Sequence, residues 1–371
     1  MKVRIERDVL ADGVAWAARA LPSRPSIPTL SGLLLDSSSG ELTLAGFDLE
    51  NAASADVDAS VDEPGKVLVS GRLLADISKS LPNQPVVIAT DGTRVELRCG
   101  RSSFVLPTLP VDEYPALPAM PEPVGVIGGH DFASAVAQVA IAAGRDDTLP
   151  MLLGVRVEIS DSKVTLAATD RYRLAVREFN WRPTQPGFEG AALVPAKVLA
   201  DTAKLLAGAQ EVSVAYASGE SADGLMGFSG DGRNTTTRLL DGEFPKYRQL
   251  LPDDSSTVST VATAGLVEAV KRVALVAERN TPVRLTFTSD EVSLQAGSGD
   301  EAQATEALEC VTDGDPIEIA FNPQYLLDGL GAVDSTEVKI SFTGSTRPAV
   351  LTPGSGPESY KYLLMPVRLS S

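Results

Sequence analysis

Histidine and cysteine are almost missing from this chain of 371 residues, which has one histidine, His130, and two cysteines, Cys99 and Cys310. A structural zinc site takes about four nitrogen or sulfur ligands, so that class is nearly excluded, and no metal is expected. A Ser-His or Cys-His nucleophile would have to be built on His130 alone. Two isolated cysteines make no disulfide framework and read as reduced thiols of a cytosolic protein. No apolar run approaches the ~18 residues of a membrane span. Met1-Lys2-Val3-Arg4-Ile5-Glu6 has no apolar stretch of the secretory kind. These absences give a cytoplasmic protein with no membrane partner as the expectation. Cations are also scarce, with Lys+Arg 32 against Asp+Glu 49 and a net charge of −17. That balance argues against nucleic-acid binding over the whole outer surface. The phosphate-cradling pattern G-x-x-x-x-G-K-[ST] is absent, so the chain is not expected to drive itself with ATP.

What the chain has is apolar content and repetition. It is 43% hydrophobic, enough for a sizeable core, and at roughly 150 residues per domain its length suggests two or three domains. Three units recur at domain-sized spacing. A helix-like segment opens each: Leu10–Val14, Phe132–Val136 and Leu266–Val270. A pair of strand-like segments follows: Leu33–Leu35 with Leu42–Leu44, Val155–Val157 with Val164–Leu166, and Val283–Leu285 with Val292–Leu294. A second helix-like segment comes next, at Leu73–Asp76, Val198–Asp201 and Tyr325–Asp328. Glu113-Tyr114-Pro115 and Glu243-Phe244-Pro245 close the first two units alike. Linkers fall near Pro118–Gly129 and Asp253–Thr260. The expected boundaries are 1–120, 128–253 and 259–371. Each unit reads as an α+β layer of two helices on a sheet.

The second helix of each unit carries the first functional clue. Leu73, Leu74, Ile77 and Leu81 are spaced as one apolar face, with Arg72, Asp76 and Lys79 opposite. The second unit repeats this: Val198, Leu199, Thr202, Leu205 and Leu206 on one side, Lys197, Asp201 and Lys204 on the other. The third unit breaks it with Gln324, Asp328 and Gly331, and its cations Lys271, Arg272 and Arg279 sit on its first helix. As a set the six helices are close to neutral, so the acidity lies in strands and loops. Two readings stay open: ordinary solvated faces, or a shared surface that meets an anion.

Thr169-Asp170-Arg171-Tyr172-Arg173-Leu174, Gly242–Tyr247 and the terminal Met365-Pro366-Val367-Arg368-Leu369 occur together with the three repeats. So do Arg24-Pro25-Ser26-Ile27-Pro28 and Thr43–Glu50. Together, from Met1 to the C-terminus, they resemble the bacterial DNA sliding clamps, the beta subunit of DNA polymerase III. The resemblance implies an α+β clamp fold of three similar domains, each with two helices on antiparallel sheets. It implies that two copies join head to tail in a six-domain ring around duplex DNA. It implies a non-catalytic processivity factor without cofactors, which tethers the replicative polymerase. A separate clamp loader, other polymerases and repair proteins are the remaining implied partners.

The family's DNA-facing positions fall on Arg24 and Arg72. The helix faces add Lys79, Lys197, Lys204, Lys271 and Arg272. The family's partner-peptide pocket lies between the second and third domains. Its matching positions begin with Leu152, Thr169, Arg171, Tyr172, Arg173 and Leu174. They continue through Pro245, Gln249, Leu250, Asn322 and Tyr325 to Thr346, Arg347 and Pro348. They end with Leu363, Met365, Pro366, Val367, Arg368 and Leu369. The thioether of Met365 suits a surface that serves several partners. Arg171-Tyr172 stands where some members have Gly-His, Gln249 where some have arginine and Asn280 where some are aromatic. The family's dimer contact falls on Leu275 and on Phe104 of the other copy. Read alone, Leu152 and Leu174 could be core and Thr169-Asp170 a turn. An enzyme would need convergent titratable groups, and Asp146-Asp147 and Asp253-Asp254 read instead as solvated loop. A scaffold of the same fold, or an accessory clamp copy with an altered pocket, is the other alternative.

Overall fold

The computed structural model describes residues 1–218, 224–277, 281–297, 302–356 and 359–368. Arg279, Asn280 and Leu369 lie outside the described residues. Three repeats of one pattern follow one another: a strand, a helix, three or four strands ending in a short edge, a strand, a helix and three strands. The helices are α1 (Arg7–Ala17), α2 (Gly71–Ser80), α3 (Gly129–Ala140), α4 (Ala196–Leu205), α5 (Thr263–Val273) and α6 (Pro323–Ala332). The chain divides into two compact units. The first holds Met1–His130 with Arg182–Gln185 and Leu205–Leu239; the second holds Asp131–Trp181, Pro186–Lys204 and Leu240–Ser371.

Each unit contains one continuous antiparallel sheet. The first unit's sheet has 14 strands and takes in five from the middle repeat; the second unit's has 12, four of them from the middle repeat. The repeats are thus joined through the sheets. In the first unit Asn51–Val57 pairs with Arg233–Arg238, Ala53 facing Thr235. In the second unit Arg173–Asn180 pairs with Tyr360–Leu364, Leu174 facing Leu363. Both joints have the same form: a middle strand of one repeat meets the last strand of the next. In the first unit, α1 and α2 cover a core that includes Leu10, Val14, Leu44, Leu74 and Val69. Large apolar side chains leave water there at roughly 25 cal/mol per Å², which selects the helical spacing seen in the sequence.

Three sequence expectations change. Each repeat opens with a strand, not a helix: Lys2–Ile5, Pro123–Ile127 and Thr257–Ala262. The last two lie in the segments read as linkers. Their glycine, proline and serine mask strands whose hydrogen bonds come from distant partners, Val212–Ala217 and Glu337–Phe342. Leu73 is exposed, and Ser78 takes its place in the buried face of α2. A 100° step per residue puts 74, 77, 78 and 81 on one stripe, with 73 beside it. The helix expected to run to 279 ends at Val273 and tightens into a 3₁₀ turn, Ala274–Val276. The sheet expected under each pair of helices is present, and it is shared between neighbouring repeats.

Gly329 lies inside α6, where an added Cβ would sit 2.4 Å from the ring of the fully buried Tyr362. Gly331, two residues on, has nothing within 4 Å. Gly329→Ala is expected to destabilise by about 1–3 kcal/mol through overpacking. Gly331→Ala is expected to stabilise by up to about 1 kcal/mol through helix propensity. Urea unfolding midpoints measure both.

Candidate functional site

The site grows from a hairpin. Lys163–Thr169 turns into Arg173–Asn180 through Asp170, Arg171 and Tyr172. Asp170 Oδ1 accepts the backbone N–H of Tyr172 at 3.0 Å and of Arg173 at 3.1 Å, an Asx turn. The Thr169 hydroxyl donates to the Arg173 carbonyl at 2.6 Å and accepts the Arg171 N–H at 3.2 Å. Arg171 has φ +80, a conformation that favours glycine. The turn therefore carries strain of about 1 kcal/mol and holds an arginine outward where a glycine would leave a gap.

Arg173 fixes the turn to the third repeat. Its side chain is 5% exposed; Nε donates to Asp170 Oδ2 at 3.0 Å and Nη1 to Asp328 Oδ2 at 2.5 Å. Nη1 also reaches the Tyr362 hydroxyl at 3.4 Å, and the guanidinium lies 4.4 Å from the centre of the Tyr325 ring. Burial alone would press it toward its neutral form. The Tyr362 hydroxyl, Asp328 and Asp170 outweigh that and hold it firmly charged. Tyr362 donates in turn to the Tyr325 carbonyl at 2.8 Å. Asn322 caps α6, its Oδ1 accepting the N–H groups of Gln324 and Tyr325. Tyr325 so placed stacks on Tyr172, centroids 6.3 Å apart. Met365 N–H donates to the Tyr172 carbonyl at 2.9 Å and Val367 N–H to the Ala320 carbonyl at 2.8 Å, which straps the terminal segment across the site.

The expected pocket residues do not all share one cleft. Leu152, Arg171, Tyr172, Arg173 and Tyr325 line a cleft of about 700 Å³, together with Ala143–Asp146, Leu149, Asp170, Gln324 and Asp328. Leu174 and Leu363 are core; with Phe244, Tyr247 and Val350 they form an apolar floor. Pro245 and Gln249 line a cleft with Phe244 and Tyr247 of that floor, and Leu250, the next residue, is 51% exposed. Thr346, Pro366, Val367 and Arg368 line a second cleft with Asp315–Ala320, while Arg347 and Pro348 line neither. Thr169 is buried and acts through the turn.

The first repeat has an equivalent hairpin with different chemistry. Asp48 accepts the Asn51 N–H at 2.6 Å, and Thr237 donates to Asn51 Oδ1 at 2.8 Å. Where the second joint has Arg173, Leu174 and Leu363, the first has Asn51, Ala52 and Thr236. Ala52 of the first joint packs with Leu30 and Phe47, with Tyr114 and Leu117 against them; the second joint instead buries Leu174 and Leu363 and has Tyr172 and Met365 exposed.

The reading of the sequence missed Asp328 as a partner of Arg173, Gln324 as a lining residue, and Tyr362 and Glu158 as members of the site. A signal for Asp328 was present. It occupies the place of Asp76 and Asp201, but its own helix gives it no lysine. Glu158 Oε2 accepts Arg248 Nη2 at 2.6 Å and the Tyr247 hydroxyl at 3.0 Å. Burial raises its pKa, but these bonds outweigh burial and hold it below the ordinary 4.5.

The expected cations are all exposed. Arg72 donates to the carbonyls of Pro22 and Ser23, tying down the loop that bears Arg24. Lys197 pairs with Asp201 and Lys271 with Glu268. Arg272 pairs with Glu306. Leu275 is 84% exposed, and Phe104 is half-buried against the first-unit core. Among the described residues, no group of three His, Cys, Asp or Glu is placed to hold a metal, and no helix is long and apolar enough to cross a membrane.

Three family models match in series: the DNA polymerase III beta subunit N-terminal domain over 1–118, its central domain over 127–246 and its C-terminal domain over 248–368. The chain is 58% identical, over all of both chains, to a beta sliding clamp of Streptomyces coelicolor. It matches the sliding clamp of Bacillus subtilis at TM-score 0.93 and 27% identity, covering 100% of both chains. It matches the Pseudomonas aeruginosa clamp bound to griselimycin at TM-score 0.92 and 28% identity, again over 100% of both.

Removing the Asp328 carboxylate leaves Arg173 buried with Asp170 as its one remaining carboxylate. Asp328→Ala is expected to cost about 1–3 kcal/mol, less than breaking a lone buried pair, read from the urea unfolding midpoint. A carboxyl whose folded pKa is depressed stabilises the fold above its unfolded value and loses that contribution as pH falls. Glu158→Gln should therefore be less stable than the parent at pH 7, and the gap should close between about pH 5 and pH 3. Thermal midpoints across that range measure it.

Proposed function

The chain belongs to the DNA polymerase III beta subunit family, the bacterial sliding clamps, and from that premise we propose how its residues do a clamp's work. It is a non-enzymatic processivity factor that encircles duplex DNA and tethers the replicative polymerase. It works as a homodimer closed head to tail, with three clamp domains per copy. We divide these domains at 1–120, 128–253 and 259–371 and place the protein in the cytoplasm.

The observation that carries this reading is a joint made twice and left open once. Ala304–Asp313 pairs with Glu291–Ala296 along 304–309 and with Thr257–Ala262 along 310–313. Ser102–Leu109 pairs with Arg94–Cys99, but with Lys66–Ser70 only at Thr108 and Leu109. By position in the repeat these are the middle strand of the third unit and the last strand of the first. Among the described residues, each has an open edge where the two internal joints are paired. Open edges cost unmet hydrogen bonds and invite stray pairing, and a second copy closes both. Carrying the internal register across puts Ala304 opposite Phe104 of the next copy and Thr305 opposite its Ser103. Leu275 then covers the seam.

DNA meets Arg24, Arg72, Lys79, Lys197, Lys204, Lys271 and Arg272 in this reading. Each neutralised phosphate makes binding tighter and more salt-dependent. The carboxylates beside Lys197, Lys271 and Arg272 temper that attraction, so contact stays loose enough to slide. The acidic exterior discourages DNA elsewhere. Partner peptides seat an apolar residue over Leu174 and Leu363 beside Pro245, Leu250 and Met365, and extend into the Tyr172–Tyr325 cleft. Clamp loader, other polymerases and repair proteins share this site.

Light scattering across a dilution series should give twice 38.8 kDa; a monomer at all concentrations rules out closure by this chain alone. Ser103→Cys with Thr305→Cys should cross-link between copies on oxidation, and a pair shifted by one residue should not. The cross-linked ring should stay on nicked circular DNA and leave when the circle is cut.

A further inference from the structure

The turn Tyr247–Leu250 has little backbone structure to hold it. It is a single 3₁₀ turn with short-range bonds from Tyr247 N–H to the Pro245 carbonyl and from Gln249 N–H to the Lys246 carbonyl. Yet it presents Gln249 and Leu250 to solvent, Gln249 in a cleft with Phe244 and Tyr247 of the apolar floor. Its inner face is Tyr247, 3% exposed and set edge-on to Phe244 at 6.1 Å. The Tyr247 hydroxyl passes through the floor to Glu158 on the strand Gly154–Ser160. Arg248 folds over the Tyr247 ring, 4.8 Å from its centre, and lands on the same Glu158 oxygen. Arg156 takes the other oxygen at 3.3 Å. One carboxylate thus grips two successive residues of the turn, and that grip fixes the turn's rotation.

The first repeat supplies a built-in comparison. Asp36 stands at the same place in its strand as Glu158, but it binds Lys66 on the neighbouring strand at 2.8 Å and the Ser38 N–H of its own following turn at 3.0 Å. The residue matching Tyr247 is Leu117, which has no hydroxyl, and the one matching Arg248 is Pro118. The carboxylate is common to both repeats, but only the linker beside the apolar floor is tied to it.

We propose that Glu158 is a positioning residue of the partner-peptide pocket: through Tyr247 and Arg248 it sets the turn that aims Gln249 and Leu250 at an incoming peptide. This rests on the pocket reading above. Glu158 touches no peptide itself; it removes freedom from the turn before the peptide arrives, so that less ordering remains to be done on binding.

The test uses the full-length dimer and a fluorescein-labelled peptide copied from the clamp-binding segment of the replicative polymerase. Fluorescence anisotropy gives Kd, and light scattering confirms the dimer mass of each variant. Glu158→Gln keeps the shape and removes the charge, and should weaken binding about tenfold. Arg248→Gln should weaken it less, and the double variant should be no worse than Glu158→Gln, because both act through one contact. Asp36→Asn should bind as the parent does. If Glu158→Gln proves poorly folded, Tyr247→Phe removes only the hydroxyl and should still weaken binding about threefold. The proposal is overturned if Glu158→Gln binds like the parent, or if Asp36→Asn weakens binding as much. If the parent itself does not bind the peptide, the pocket reading falls, and this proposal with it.

Discussion

The antiparallel joint between the middle strand of one repeat and the last strand of the next is the constraint on which the rest depends. It turns three similar layers into shared sheets, 14 strands in one unit and 12 in the other. It also sets the position of the hairpin Thr169–Leu174 beside the terminal strand Tyr360–Leu364. A sheet edge is a row of unmet donors and acceptors. This chain satisfies the joint twice and, among the described residues, leaves the matching edges of Ser102–Leu109 and Ala304–Asp313 without a partner strand.

The two internal joints share a backbone and differ in side chains, and function follows that difference. The first pairs small and hydroxyl-bearing residues, Asn51 and Ala52 with Thr237 and Thr236, and packs Ala52 on Leu30 and Phe47. The second buries Leu174 and Leu363 and anchors a charged arginine. Arg173 is expensive to bury, and its cost is offset by two carboxylates, a phenol and an aromatic face. Those partners come from both repeats. The same set of contacts that neutralises the charge also fixes Tyr172 against Tyr325 and so shapes the cleft.

The electrostatics are graded. Cations lie on exposed helix faces, several already shared with a carboxylate of the same or a neighbouring element. Helix faces of that kind attract a polyanion weakly and without sequence preference. The net charge of −17 resides elsewhere on the molecule. Holding DNA by topology rather than by adhesion requires only this weak attraction.

How far the sequence alone reaches is visible in particular residues. Helical spacing on α2, α4 and α5, the threefold repetition and the family resemblance were all legible, because each is a property of neighbours along the chain. So was the turn at Thr169-Asp170, since Asx and hydroxyl bonding are local. Leu73 misled, because an apolar residue at the margin of a stripe is indistinguishable from one inside it until the packing is known. The opening strands Pro123–Ile127 and Thr257–Ala262 were hidden, because their hydrogen-bond partners lie some 80–90 residues away. Asp328 meeting Arg173 and Glu158 meeting Tyr247 and Arg248 were equally beyond it. Local periodicity, charge and composition determined the layer, the repeat and the candidate cations. Which carboxylate neutralises which buried cation, and which edge stays open, only the tertiary structure decided, since both depend on groups far apart in sequence sharing one low-dielectric space.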